Sequence, residues 1–343
     1  MSAVPADPRR RPLRVATVPF RSPYVDAVLP PGSVHVGSLG EPSPWLDPDH
    51  LSAAAAEVDV LHVHAGWEDM PLPQLEAWTA AVRRTGVPFV ATIHQLRAGR
   101  SSSRRRHAAQ LRTLLATAEV VLTLTAGAAD EIADRFGRTA IVVAHPSLAA
   151  PTPGIGRETR LVGVHLGSLD GQVPEAVGLV RGALSGALSG GGRLRVDVHP
   201  GLDVAAALPE LAALADAGEL QLCRSAPPSP ADWVRHLQEL HVSVLPDVAG
   251  SHSSWVELCR DAGTRAVVPS GGHHADQWSD VVVYGSDPRT GLDAASLSSA
   301  VVAALTRPFP VRADQAWRAQ QRDAVRRVHA QIYEQVAADR VPA

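Results

Sequence analysis

The chain has 343 residues, a formal net charge of −3, and 45% hydrophobic against 20% charged residues. That length accommodates two domains of ordinary size, each with its own core. The near-balanced charge excludes the basic surplus of a nucleic-acid-binding chain, and no apolar run approaches the ~20 residues that span a bilayer.

All 32 basic residues are Arg, and neither Lys nor Asn occurs. Both missing types have AT-rich codons, which points to a GC-rich coding sequence rather than a physical adaptation. Cys223 and Cys259 are too few for a disulfide framework and suit a reducing compartment as buried small residues. The Pro- and Arg-rich stretch 1–14 lacks the apolar segment of a signal peptide, so a soluble, cytoplasmic protein is expected.

Apolar runs at 13–18, 58–63, 88–94, 120–125 and 141–144 are continuous rather than alternating. This predicts strands covered on both faces, hence a parallel sheet. Amphipathic stretches lie between them; 74–84 is followed by Gly86 and 126–136 by Gly137, each a helix stopped by a glycine. The Pro- and Gly-rich stretch 149–156 predicts a linker. Strands are then expected at 160–166, 194–199, 220–223, 242–245, 266–268 and 281–284, with Ala- and Leu-rich helices between them. The small-residue run 185–192 is expected to be a loop. Residues 313–338 form one long amphipathic helix, with Trp317, Val325, Ile332 and Val336 among its apolar positions. The expected fold class is α/β: two doubly wound, Rossmann-like domains facing a cleft. The first spans 1–150, the second 151–310, and a C-terminal helix over 311–343 crosses back to the first.

Ser251-His252-Ser253-Ser254-Trp255-Val256-Glu257 is a polar loop running into a helix. A helix start offers unpaired N–H groups and a positive dipole end, which suit phosphate. Glu257, one turn in, is placed to accept hydrogen bonds from ribose hydroxyls. An ordinary N-capped strand–loop–helix has the same sequence signature. His94 ends an apolar strand at the expected C-terminal edge, where open α/β sheets bind ligands; its alternative is a half-buried histidine bonded to backbone. His62 and His64 share a strand face, but no carboxylate or Cys completes a metal set. Trp67, between Gly66 and Glu68, either offers a flat face to an acceptor or plugs the domain edge. Arg21 and Tyr24 lie in the first loop, Pro19 to Tyr24; Arg21 either meets a phosphate across the cleft or stays at the surface. Arg97, Arg100, Arg104, Arg105, Arg106 and Arg112 form the densest basic run. It suits a solvated helix start, an acidic acceptor or peripheral contact with anionic lipid. Gly271-Gly272-His273-His274 is a turn whose backbone can approach a ligand.

The order and spacing of these segments resemble the retaining GT-B glycosyltransferases, in particular the bacterial glycosyltransferase group 1 type seen in actinobacteria. In the first half the resemblance is carried by Asp59-Val60-Leu61-His62-Val63-His64, by Gly86 to His94, by Val121 to Thr125 leading into Ala128 to Ile132, and by Val143-Ala144-His145-Pro146. Val162 to Leu166 and Ser251 to Glu257 carry it in the second. It spans 14–333 and implies a nucleotide-sugar donor on the second domain and a small-molecule, natural-product or glycan acceptor on the first. It also implies no metal or other cofactor and no nucleic-acid partner. By position, His94 becomes the catalytic histidine facing the donor sugar and Glu257 the ribose-holding glutamate. Gly167, Ser168, Ser251, His252, Ser253, Ser254, Trp255, Gly271 and Gly272 complete the donor site; Arg21, Tyr24, Trp67 and Glu68 lie on the acceptor side. Three departures stand out. Ala249 occupies the place of the first family glutamate, with Asp247 nearby. The loop from Gly167 to Gln172 lacks the family's Arg and Lys, and Gln95 replaces an acidic residue. They leave two other readings open: a GT-B-like binding or partner subunit without turnover, and a GT-B enzyme that forms a C–N or C–S bond.

Overall fold

The computed structural model describes residues 11–40, 42–97, 103–150, 152–156, 159–167, 175–225, 227, 229–246, 250–287 and 291–340. The first sheet is built from β1 (Arg14–Val18), β2 (Val34–Val36), β3 (Val60–Val63), β4 (Phe89–Thr92), β5 (Val120–Thr123) and β6 (Ile141–Val142). Its order is β2-β1-β3-β4-β5-β6, and every neighbouring pair is parallel. The connecting helices are α1 (Pro23–Val28), α2 (Pro48–Ala54), α3 (Leu72–Thr85), α4 (Arg104–Thr117) and α5 (Ala126–Phe136). Gly86 and Gly137 end α3 and α5 in left-handed backbone, at φ 59° and 65°, and their N–H groups close the last turns on Val82 and Ala133.

The second sheet contains β7 (Leu161–Gly167), β8 (Arg193–Val198), β9 (Gln221–Arg224), β10 (Val242–Val244), β11 (Arg265–Pro269) and β12 (Val282–Tyr284). Its order is β12-β11-β10-β7-β8-β9, again all parallel. A small antiparallel hairpin, β13 (Ser286–Asp287) with β14 (Gly291–Leu292), follows. The helices are α6 (Ala176–Ser189), α7 (Val204–Ala207), α8 (Pro209–Asp216), α9 (Pro230–Gln238), α10 (Ser254–Ala262), α11 (Ala294–Thr306) and α12 (Gln315–Ala338).

Alternate residues of one strand feed different cores. Leu61 and Val63 of β3 join Phe89 and Ala91 of β4 on the side of α3 and α4. Val60 and Val90 face the other way, onto Val325, Tyr333 and Val336 of α12. Both faces are therefore apolar, which is why these strands show no alternation. The start of α12 is bonded to the second domain through Arg318, so this helix straps the two domains together. No helix of the described residues is long and apolar enough to cross a membrane.

Two expectations need correction. Residues 185–189 are the last part of α6, not a loop. A Cβ on Gly186 would lie 2.6 Å from the Ser298 carbonyl oxygen and 2.7 Å from Val301 Cβ, so small residues here let α6 and α11 approach closely. Cys223 is only half-buried, whereas Cys259 is fully so; both are free thiols.

Candidate functional site

In each sheet the chain reverses its direction of travel once. β1 lies between β2 and β3, and β7 lies between β10 and β8. Such switch points open a crevice at the carboxyl ends of the strands. His64 follows β3, His94 comes two residues after β4, and His145 lies beyond β6. From the second domain, Gly167 ends β7, and Ser251 and His252 lie on the loop that enters α10.

The two edges meet directly. Ser251 donates to the His94 carbonyl from its backbone N–H (3.3 Å) and from Oγ (2.7 Å). Thr125 Oγ1 donates to the Ser251 carbonyl at 3.3 Å. His94 Nδ1 and His252 Nε2 are 2.9 Å apart. Beside this seam, Asp276 accepts from the Gly127 N–H at the start of α5 (2.9 Å), a favourable place for a carboxylate. His273 reaches Glu131 at 2.9 Å.

Hydrogen-bond logic orders the imidazoles. Because Ser251 Oγ gives its proton to a carbonyl, it accepts from His252 Nδ1 at 3.2 Å. His252 Nε2 is then an acceptor, met by the Nδ1–H of His94, and His94 Nε2 faces His64 Nδ1 at 3.5 Å. His62 extends the cluster, its ring 3.9 Å from that of His64 and its nitrogens bonded to Thr92 and Tyr333. Tyr24 stands edge-on to His64, His94 and His145, with centroids 5.5, 4.9 and 5.3 Å away. Burial keeps these rings neutral: it drives His94 down to about 3, His145 down to about 4, and His62, His64 and His252 well below the ordinary imidazole value. Neighbouring histidines deepen the effect on His62, His64, His94 and His252. Among the described residues, no group of three or more His, Cys, Asp or Glu is arranged to hold a metal ion. Chemically, the seam is a relay of neutral imidazoles that can bond hydroxyls or receive a proton.

Residues 2–147 match the family model of the glycosyl transferase 4-like domain. No curated protein matches the sequence. Among solved structures, HepE of Anabaena in complex with UDP and glucose superposes with a TM-score of 0.57 at 14% identity, over 87% of this chain and 83% of that one. The pneumococcal O-GlcNAc transferase GtfA in complex with UDP and GlcNAc gives a TM-score of 0.54 at 9% identity, over 84% of this chain. The present chain has the GT-B fold. It covers 60% of the pneumococcal chain's length, less than two thirds of it.

Within this GT-B frame, His94, Tyr24, Ser251 and His252 come together, with Ser253 and the exposed Ser254 beside them at the start of α10. The Ser253 side chain caps Trp255 N–H (3.1 Å), and its own N–H is taken by Gln277 Oε1 (2.7 Å). Trp255 turns away into the second domain, stacked on His165 at 5.0 Å and bonded to Ser243. Glu257 is buried, and both its carboxylate oxygens accept from protein groups: Oε2 from Arg318 at 2.7 Å and Oε1 from Gln277 at 3.2 Å. Burial pushes its carboxyl up to about 7 against the pull of Arg318. Gly272 is pressed against the protein itself, since a Cβ there would lie 2.3 Å from the Gly250 carbonyl oxygen. Gly271, beside it, is buried.

On the first domain, Trp67 is 1% exposed and stacked on His107, so it fills the core rather than presenting a face to an acceptor. Glu68 is half-buried, and burial pushes its carboxyl up to about 7. Arg21 is exposed, 3.9 Å from Asp26. In the basic run, Arg97 pairs with Glu131 at 3.3 Å, and Arg106 donates to the carbonyls of Glu68, Asp69 and Met70. Arg100, Ser168, Asp247, Ala249 and the loop 168–172 lie outside the described residues. The sequence reading missed Arg318, Gln277 and Asp276. One signal was present: Glu257 and Asp261, four apart, share an inner face of α10 and need a cation opposite.

Proposed function

We propose that the chain is a glycosyltransferase that takes a sugar from a nucleotide-sugar donor held by the second domain and passes it to an acceptor on the first. The observation that carries this reading is the meeting of both switch-point edges, with His94 set against Ser251, His252 and the start of α10. HepE and the pneumococcal transferase are solved with UDP and a hexose or GlcNAc, which makes UDP-hexoses the first donors to try. His94 hydrogen-bonds a donor hydroxyl in this scheme. A half-buried imidazole held at about 3, with no carboxylate bonded to it among the described residues, is a poor general base, and this favours transfer with retention over an in-line displacement that needs one. Closure of the domains around donor and acceptor excludes water from the reacting bond.

The sequestration of Glu257 favours a second reading, a GT-B-like binding subunit without turnover, because a ribose must compete with Arg318 and Gln277 for that carboxylate. One experiment separates the two. Release of nucleoside diphosphate is followed from a panel of UDP-, ADP-, GDP- and dTDP-sugars, with the anomeric configuration of the product read by NMR. Turnover that falls at least about a hundredfold in His94→Ala supports transfer, since each lost hydrogen bond to a reacting group is worth about two orders of magnitude. Binding of a nucleotide sugar without release of its diphosphate leaves the subunit reading. An unaltered rate in His94→Ala removes that residue from the mechanism.

A further inference from the structure

The seam that meets an incoming donor is built from imidazoles and offers no free guanidinium among the residues described above. The sequence has no Lys. Arg318 is held by Glu257 and Asp261, and Arg97 and Arg135 both pair with Glu131. His252 immediately precedes Ser253, the N-cap of α10, where a dipole and helix N–H groups already draw an anion. Among the described residues its Nε2 is engaged with His94 of the other domain alone, so parting the domains to admit a ligand frees that lone pair. The groups that act on it electrostatically are His94, His145 and His274, from the elements packed around it, and all three are imidazoles. Arg318 acts in turn on His145. His252 is neutral in the closed seam because burial disfavours its charged form and its electrostatic neighbours are imidazoles.

A donor diphosphate supplies that anion. We infer that the donor's diphosphate is met by His252 as an imidazolium, so that donor binding draws one proton from solvent onto Nε2. This rests on the nucleotide-sugar reading given above. The proton leaves water or buffer and enters the imidazole; no bond of the donor changes in this step. The helix dipole and the new cation then act on the phosphates together, and release of the diphosphate returns the proton.

The test is titration calorimetry with UDP-glucose, followed by the ADP, GDP and dTDP analogues if it does not bind. A terminal phosphate titrates near about pH 6 and would confuse the measurement, whereas the doubly esterified diphosphate of a nucleotide sugar has no such proton. Runs in two buffers of different ionisation enthalpy are expected to show uptake of about one proton near neutral pH. Affinity should fall about tenfold per pH unit between the free-state and bound-state titrations of one imidazole and level off above the latter. His252→Gln keeps an amide for the seam but cannot be protonated; it should bind with no proton uptake and with the parent's weak high-pH affinity. Binding by the parent with no proton uptake overturns the inference and leaves the nucleotide-sugar reading intact. Unchanged uptake in His252→Gln also overturns it. Failure of every nucleotide sugar to bind at any pH overturns both.

Discussion

Glu257 and Arg318 are 3% and 4% exposed at their side chains, and their mutual contact, with the flanking Asp261, Gln277 and Gln321, offsets the desolvation of both. Deleting Glu257 leaves Arg318 buried with Asp261 and Gln321 as remaining polar partners, at a cost of about 1–3 kcal/mol. Glu257→Ala should therefore lose that much stability without any ligand present, by urea denaturation at neutral pH. Pairing Glu257→Leu with Arg318→Met should recover only part of it, because Asp261 then loses its guanidinium and keeps the bond from Ser147. A single variant within about 1 kcal/mol of the parent would show that the pair contributes little. The same carboxyl has a pH signature. Its folded value, about 7, lies above the ordinary carboxylate value of about 4.3, so the folded state holds the proton more tightly. Its contribution to stability is full below about pH 4.3 and is lost as pH rises to about 7. Glu257→Gln should flatten that segment of the stability profile and cost less than Glu257→Ala, since the amide mimics the protonated acid in shape.

At the scale of elements, α6 and α11 set a sharper test of packing against propensity. Glycine in a helix interior costs about 1 kcal/mol relative to alanine, so both Gly178→Ala and Gly186→Ala gain from the backbone. They differ in what the new methyl meets. At Gly178 the nearest atom is 3.6 Å away, an ordinary contact; at Gly186 a backbone oxygen lies at 2.6 Å. Gly178→Ala should stabilise by several tenths of a kcal/mol, and Gly186→Ala should destabilise by about 1–3 kcal/mol because α11 must move. Thermal unfolding of the two variants checks this directly, and equal shifts would refute it. The same contrast explains what the sequence could reveal. Strands such as β3 and β4 were legible because covering both faces makes a run apolar throughout, and α3 and α5 because Gly86 and Gly137 alone suit a left-handed stop. The stretch 185–189 was misread because small residues serve equally in loops and in tight helix contacts. A strand end picked out His94 and a helix start His252, but not that they touch, since 158 residues separate them. Arg318 stands 61 residues from Glu257, and no local pattern announces it.

Over the whole molecule, two kinds of contact hold the domains together, and they differ in their sensitivity to acid. On one side α12 anchors Val325, Tyr333 and Val336 in the first domain and Arg318 in the second, beside a crevice of about 70 Å³ lined by Thr152, Asp261, Arg312 and Arg322. Its apolar anchors do not titrate. On the other side the seam rests on His94, His145 and His252, with His64 behind His94, all depressed below the ordinary value of about 6.5. Below about pH 6.5 a separated or unfolded chain binds more protons at these rings than the closed fold does, so the closed state loses stability as pH falls toward the folded values of about 4 and 3 at His145 and His94. Glu257 works in the opposite sense over part of this range, but it is one group against several. The seam should therefore open first, by rotation about the α12 side, while each sheet keeps its core. Small-angle scattering between about pH 7 and pH 4.5 should show the radius of gyration rising before far-ultraviolet circular dichroism changes. Replacing His145 and His94 together by Gln removes two of the titrating rings and should shift that expansion to lower pH. Simultaneous loss of both signals would mean that the domains unfold as one cooperative unit, and that the seam is no weaker than the cores it joins.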